Sequence, residues 1–327
     1  MSGSAQLPEA LASASAGSQA LLQRLGGMVA AEVLESAEPP ATPSLALLGE
    51  TNRGKSSLVN ALLAMRHCSP VAADAATATS LVFGYAERGC TTARYTDGRR
   101  DHSVRPSELA ELVTVVAGAV QRRLPPHHVE VLLPNPLTRR LTLVDTPGVG
   151  GLHSRHGELA GHAAAEATAA LFVVDASAPL TAGELDFLTE VAERIETVVF
   201  ALTKIDAFRG AQQVLEADRA LVASRLPGFA DAPWFAVSAR LHELAEQATD
   251  ATAAQLLRER SGIGELRTWL QELLLGRAKM LSEANALRAV DTALAGCRVD
   301  LASAGRACSA GDAERAALRA RRDELSS

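Results

Sequence analysis

Gly49-Glu50-Thr51-Asn52-Arg53-Gly54-Lys55-Ser56 is the stretch that decides the fold. It spells GxxxxGKS, the pattern of a loop that cradles phosphates. Its flanks agree with that reading. Ser44-Leu45-Ala46-Leu47-Leu48 reads as a short buried strand, and Ser57-Leu58-Val59-Asn60-Ala61-Leu62-Leu63 as an amphipathic helix. A Gly-rich turn between strand and helix aims backbone N–H groups and a helix N-terminus at one point, where phosphate oxygens gather. Lys55 is expected to reach the β- and γ-phosphates, and the Ser56 hydroxyl to bind Mg²⁺. Gly49, Asn52, Arg53, Gly54 and Ser57 complete the nucleotide contacts expected of this loop.

Lysine usage sharpens the reading. Of 32 Lys plus Arg, only Lys55, Lys204 and Lys279 are Lys. Two of these three fall in nucleotide-binding motifs. A compact ammonium fits between two phosphates where a planar guanidinium does not.

Composition sets the outer bounds. A chain of 327 residues can hold one large domain with an extension, or two domains. Hydrophobic residues make up 47% and aromatics 3%, so Leu, Val and Ala must fill the core. A net charge of −6 argues against a broad nucleic-acid surface. Cys68, Cys90, Cys297 and Cys308 form no C-x-x-C pair and read as free thiols in a reducing cytosol. The N-terminus has no signal-peptide pattern, and no run reaches the ~18 apolar residues of a membrane span.

Residues 1–17 are Ser-, Ala- and Gly-rich and are expected to be disordered. Residues 18–40 are expected to form a neck helix, with Leu21, Leu25 and Met28 on one stripe, ended by Pro39 and Pro40. Residues 41–275 alternate strands with helices. Strands are expected at Leu81–Tyr85, at Arg94–Thr96 as one arm of a hairpin, and at Leu171–Val174, Thr197–Leu202 and Trp234–Val237. Val129–Leu133 and Leu141–Val144 read as an adjacent strand pair. Helices are expected over Ser107–Arg123 and near 157–168, 181–194 and 210–224. This alternation predicts an α/β fold, a mostly parallel sheet covered by helices on both faces. Residues 276–327 read as further neck helices. Their stripe of Leu287, Val290, Leu294, Cys297 and Leu301 is expected to pack on the N-terminal helix.

Two more motifs follow the phosphate loop. Asp145-Thr146-Pro147-Gly148 supplies DxxG at the end of a buried strand, 90 residues after Lys55. Asp145 is expected to hold Mg²⁺ and the Gly148 N–H to meet the γ-phosphate. Thr203-Lys204-Ile205-Asp206 gives TKxD, a base-reading motif. The Asp206 carboxylate can accept from both N1–H and N2–H of guanine, a pair adenine lacks. Lys204 would lie along the base. Ser238 and Ala239 open a Ser-Ala-Arg turn whose Ala239 N–H is offered to guanine O6. Together these specify GTP and GDP as ligands. A threonine between Lys55 and Asp145 must complete the Mg²⁺ site. Thr77, Thr79, Thr91 and Thr92 are the candidates, and spacing alone does not choose among them.

These residues resemble the GTPase domain of the dynamin superfamily, and in particular the bacterial dynamin-like proteins of the actinobacterial, isoniazid-inducible type. The loop runs GETNRGKSSLVNALL, the base motif is TKID, and roughly 65 residues separate Thr77 from DTPG. Pro70 stands seven residues before Thr77, as in the dynamin switch I segment. The resemblance selects Thr77 as catalytic and metal-binding. It also implies self-association through the GTPase face or pairing with a paralogous dynamin-like protein, membrane remodelling, and a cytoplasmic, peripherally membrane-associated location. Thr51 and Asn52 depart from the dynamin pattern. Asn52 is similar to the loop asparagine of potassium-activated GTPases, which implies a catalytic role beside K⁺. The family's long helical stalk would begin only shortly before Ser327, where the sequence ends inside a helical pattern, so the resemblance implies either a truncated chain or a short form.

The rival expectation is an Era-like regulatory switch acting on ribosomal RNA or a protein partner. GxxNxGKSSLxNAL fits that group; TKID and the acidic net charge oppose it, so nucleic acid is not the expected partner. Two side features complete the reading. His153, His156 and His162 read as polar switch-loop residues. Arg53 reads as a solvated loop arginine, with internal charge neutralisation as the sharper alternative.

Overall fold

The computed structural model describes residues 42–71, 75–77, 79–95, 100–116, 126–148, 167–195 and 197–274. These residues belong to one compact unit of the chain, spanning 39–285. Both expected neck segments, the stripe from Leu287 to Leu301, the three switch-loop histidines and the helix expected near 157–168, except its last two residues, lie outside the described residues.

The elements run β1 (Ser44–Leu48), α1 (Lys55–Leu63), β2 (Ala75–Thr77), β3 (Ser80–Tyr85), β4 (Cys90–Arg94), β5 (His102–Ser103), α2 (Pro106–Val113), β6 (Thr114–Val116), β7 (His128–Leu133) and β8 (Thr142–Asp145). They continue with β9 (Ala169–Asp175), α3 (Ala182–Ala192), β10 (Val198–Thr203), α4 (Ala211–Arg225), β11 (Trp234–Ala236), α5 (Ala239–Gln247), α6 (Ala251–Ser261) and α7 (Ile263–Trp269).

Nine strands form one sheet in the order β11-β10-β9-β1-β8-β3-β7-β4-β5. The half from β11 to β8 is parallel, and the half beyond it mixes directions. The sheet is therefore mostly parallel, as its alternation with helices implied. One adjacency differs from the sequence reading. β7 and β8 do not pair; β3 lies between them, parallel to β7 and antiparallel to β8. The expected helix over 107–123 is also cut short. It ends at Val113, and the β-branched run Thr114-Val115-Val116 pairs instead with β2 in a separate two-stranded ribbon.

Both faces of the central strands are covered. In β1, Leu45 and Leu47 join one core with Leu58, Leu62, Ile263 and Leu266. Ala46 and Leu48 point the other way, to Phe172, Leu188, Phe200 and Val222. Thus α1 and α7 pack on one face, and α3 and α4 on the other, as a doubly covered strand requires. The far end of α1 is also tied down. Arg267 of α7 donates to the Ala61 and Leu62 carbonyls at 2.9 and 2.8 Å, and Asn135 donates to the Leu63 carbonyl at 2.8 Å. These are carbonyls a helix C-terminus leaves without intrahelical partners.

Asp218 in α4 is a buried carboxylate that accepts from the Leu180 N–H at 2.7 Å. Burial pushes its pKa up to about 6, with Glu184 adding to the rise and the Leu180 bond and Arg53 opposing it. The folded value lies above the unfolded one, so folding favours the protonated form. That contribution is complete below about pH 4 and is lost as pH rises through about 6. Asp218→Asn should therefore flatten the fall in melting temperature between pH 4.5 and 7.5, by an equivalent of at most about 3 kcal/mol. Parallel melting curves for parent and variant across that range would show that Asp218 does not titrate there.

Candidate functional site

The parallel strands deliver their C-terminal ends to one edge of the sheet, where open α/β sheets bind ligands. β1 runs into Gly49, β8 into Asp145 and Thr146, β9 into Asp175, β10 into Thr203 and Lys204, and β11 into Val237 and Ser238. The three sequence motifs thus converge although they are far apart in the chain.

The phosphate loop needs unusual backbone. Gly49, Asn52 and Gly54 have φ of 139°, 64° and 93°. At Gly49 a side chain would collide with the Val173 carbonyl on β9, so only glycine fits. Gly54 caps α1, whose first turn carries no acidic residue and no side-chain cap. Its N–H groups are left for an anion. Lys55 is 6% exposed, and its Nζ donates to the Gly49 and Glu50 carbonyls at 2.8 Å each. Burial lowers its pKa to about 8, against the pull of Asp145 and Glu50. A phosphate above the loop would restore full charge.

Asp145 is buried at the floor of this site. Its Oδ2 accepts from Ser69 Oγ at 2.6 Å, while Oδ1 is buried without a partner among the described residues. Burial raises its pKa, with Ser69, Lys55 and Ser56 opposing the rise. A buried carboxylate with one open oxygen beside a serine hydroxyl suits a hard divalent cation, so Ser56 and Asp145 fit Mg²⁺. Thr146 Oγ1 donates to the Leu47 carbonyl at 2.6 Å and ties the DTPG loop to β1. Gly148 lies against Thr51, where any side chain would collide with the loop backbone. Gly148 is therefore a close neighbour of the phosphate loop.

The base-reading motif is wired to the phosphate loop. Thr203 Oγ1 donates to the Arg53 carbonyl at 2.5 Å and to the Val174 carbonyl at 3.0 Å. Lys204, itself at φ 58°, donates from Nζ to the Asn52 carbonyl at 2.6 Å. Asp206 is exposed, with one oxygen held by Ser238 Oγ at 2.5 Å. Ser238 also caps α5, accepting from the Leu241 N–H at 3.0 Å, so the Ala239 N–H stands at a helix start beside Asp206. A cleft of about 520 Å³ opens between α1 and α5; Ser57, Asn60, Ala239 and His242 line it, and Lys204 and Asp206 do not.

The threonine candidates separate by position. Thr91 and Thr92 lie on β4, three strand spacings from β8, which is roughly 14 Å. That removes them from the metal site. Thr79 is buried, with its hydroxyl unpartnered among the described residues. Thr77 ends β2, opposite Thr114 of β6.

Arg53 is the clear departure from the sequence reading. It is not solvated: its side chain is 11% exposed, 2.9 Å from Asp175, 3.0 Å from Glu184 and 3.3 Å from Glu50. Those carboxylates hold its pKa above the ordinary value against burial. Both terminal nitrogens of Arg53 are thus committed to carboxylates.

Other contributors were not singled out from sequence. Asn60 receives the Ser69 N–H at 2.8 Å and donates to the Ser69 carbonyl at 2.8 Å, which positions Ser69 against Asp145. It also accepts from Cys68 Sγ, a thiol that burial pushes up to about 12 and so keeps inert. Asp175 was legible in one respect. Leu171–Asp175 is an apolar run ending in Asp, as Leu141–Asp145 is. Glu184 sits three residues after Thr181, a capping-box spacing that both side chains fulfil.

Residues 45–205, which span the phosphate loop, DTPG and the Thr203–Lys204 step of the base motif, match the model of the dynamin family. Residues 45–205 form a dynamin-family domain. The isoniazid-induced protein IniA of Mycobacterium tuberculosis is 28% identical over 268 residues, covering 79% of this chain and 39% of IniA. The chain thus spans about two fifths of that relative's length. A probable transmembrane GTPase, FZO-like, of Arabidopsis thaliana chloroplasts is 34% identical over 85 residues, 26% of this chain and 9% of that protein. Among solved structures, an oligomerised bacterial dynamin pair superposes with a TM-score of 0.57 at 17% identity, over 92% of this chain and 57% of that one. At that identity the likeness concerns the fold. The bacterial dynamin-like resemblance read from GETNRGKSS and TKID is thereby borne out.

Proposed function

We propose that this domain binds Mg²⁺-GTP, hydrolyses it to GDP and phosphate, and uses the cycle to control self-association at a membrane surface. The observation that supports the enzymatic part is the convergence of Lys55, Ser56, Asp145 and Gly148 on one point, with a buried Asp145 oxygen still open. Lys55 and the α1 N-terminus would hold the phosphates, while Asp206, Ala239 and Lys204 would read guanine. Ser56, Asp145 and Thr77 would hold Mg²⁺, which would offset the negative charge of the phosphates. Val149 follows DTPG and lacks a polar group to orient water. The Thr77 backbone or an associating partner would do so.

The membrane part rests on the relatives. The superposed dynamin pair is described as providing a mechanism for long-range sensing and tethering of membranes. No helix among the described residues is long and apolar enough to cross a membrane. The chain would attach to the membrane peripherally, from the cytoplasmic side, and would associate through the GTPase face with a second copy or a paralogous dynamin-like protein. Sedimentation with liposomes and with ribosomal RNA, each with and without a non-hydrolysable GTP analogue, tests this. Nucleotide-dependent co-sedimentation with liposomes supports it. Binding to RNA alone would favour the Era-like role instead.

Asn52 carries a further expectation. It is exposed at a left-handed position of the phosphate loop, and its carbonyl, not its side chain, serves Lys204. The side-chain oxygen is thus available for a monovalent cation beside the phosphates. Hydrolysis should be faster in KCl than in NaCl or choline chloride, and Asn52→Ala should abolish the difference. Equal rates in all three salts would remove K⁺ from the mechanism.

A further inference from the structure

Asp175 closes β9 at 5% exposure, and its two oxygens serve two different loops. Oδ1 accepts from Arg53 Nη1 at 2.9 Å, from the Ser177 N–H at 3.2 Å, and from Ser177 Oγ. Oδ2 accepts from Lys204 Nζ at 2.6 Å. Arg53 belongs to the phosphate loop and Lys204 to the base-reading loop. The same Lys204 Nζ returns to the phosphate loop through the Asn52 carbonyl, so the connection closes into a ring. Arg53 is anchored from behind by Glu184, which is 3% exposed and locked into the N-terminus of α3 by Thr181.

We infer that Asp175 is a positioning residue: it fixes Lys204 between the phosphate loop and the base pocket and so governs how long a guanine nucleotide stays bound. The inference rests on the reading of this site as GTP-binding. Lys204 has a long, flexible side chain, 39% exposed, that would otherwise sample water. Asp175 holds its ammonium at one place, which lays the aliphatic stem along the base position. The carboxylate can do this because, against its burial, Lys204 and the Ser177 groups keep it ionised, with a pKa of about 2. An Asn at this position would have to aim its NH₂ at Arg53, at Lys204 or at the Ser177 donors. One cation would then lose its partner at a largely buried point. Among the described residues, Asp175 is the carboxylate paired with Lys204.

The test is stopped-flow release of fluorescently labelled GDP from the full chain. Asp175→Asn should accelerate release at least about tenfold, in line with loss of a charged hydrogen bond. Arg53→Lys, which keeps the charge but loses the fork that spans Asp175 and Glu184, should give a smaller acceleration. The decisive comparison is made in a Lys204→Ala background. There Asp175→Asn should change release less than about twofold, because its route of action is gone. A merely structural role would accelerate release equally in both backgrounds and overturn the inference. If Asp175→Asn fails to fold, the same cycle with Arg53→Lys decides, and additivity there overturns it too. A parent protein that binds guanine nucleotide while Asp175→Asn releases at the parent rate would sink this inference alone. A parent protein that binds no guanine nucleotide would sink the GTP reading and the inference with it.

Discussion

Lys55→Ala is expected to lower GTP turnover by about 10²-fold or more while leaving the fold intact. Lys55 is buried under the phosphate loop, and its ammonium is braced by the Gly49 and Glu50 carbonyls at 2.8 Å. It is therefore held in place before any phosphate arrives, which is where an electrostatic contribution to catalysis is greatest. The core beneath it comes from Leu45, Leu47, Leu58 and Leu62, none of which depends on the ammonium. Phosphate release and circular dichroism report the two parts separately. Turnover near the parent rate in Lys55→Ala would mean that this loop is not where hydrolysis occurs.

The second large effect concerns the base. Asp206→Asn should weaken GTP binding by about 10²-fold or more, since two hydrogen bonds to a carboxylate are lost or reversed. Preference should shift towards xanthine nucleotides, whose C2 oxygen accepts where guanine donates. Asp206 is well placed for this discrimination. One oxygen is fixed by Ser238 at 2.5 Å, and the residue remains exposed at the mouth of the site. Calorimetry with GTP and XTP on parent and variant measures the switch. Unchanged GTP affinity in Asp206→Asn would refute the assignment.

What the sequence made legible follows physical range. The phosphate loop, DTPG and TKID are local patterns, each set by the strand that precedes it. All three fall where their spacing placed them. Strand order was less legible, because β7 and β8 both read as apolar runs and nothing local states that β3 separates them. The helix beginning at Pro106 gave way at Thr114, where pairing with β2 outweighed local periodicity. Arg53 shows the same limit for a side chain. Its neighbours in sequence suggest a solvated loop residue. Its partners Asp175 and Glu184 lie 122 and 131 residues further on, and only the fold brings them together. Ser69 is similar: it meets Asp145 across 76 residues, guided by Asn60 at the end of α1. Ion pairs and hydrogen bonds of that span carry no periodic signature.

We propose this edge of the sheet as a Mg²⁺-dependent, guanine-selective hydrolase site. Its most direct test is steady-state phosphate release by the parent chain from GTP and from ATP, each with Mg²⁺ and with excess EDTA. GTP should turn over with Mg²⁺, ATP at least about 10²-fold more slowly, and neither in EDTA. Comparable turnover of GTP and ATP, or GTP turnover that persists in EDTA, would contradict it.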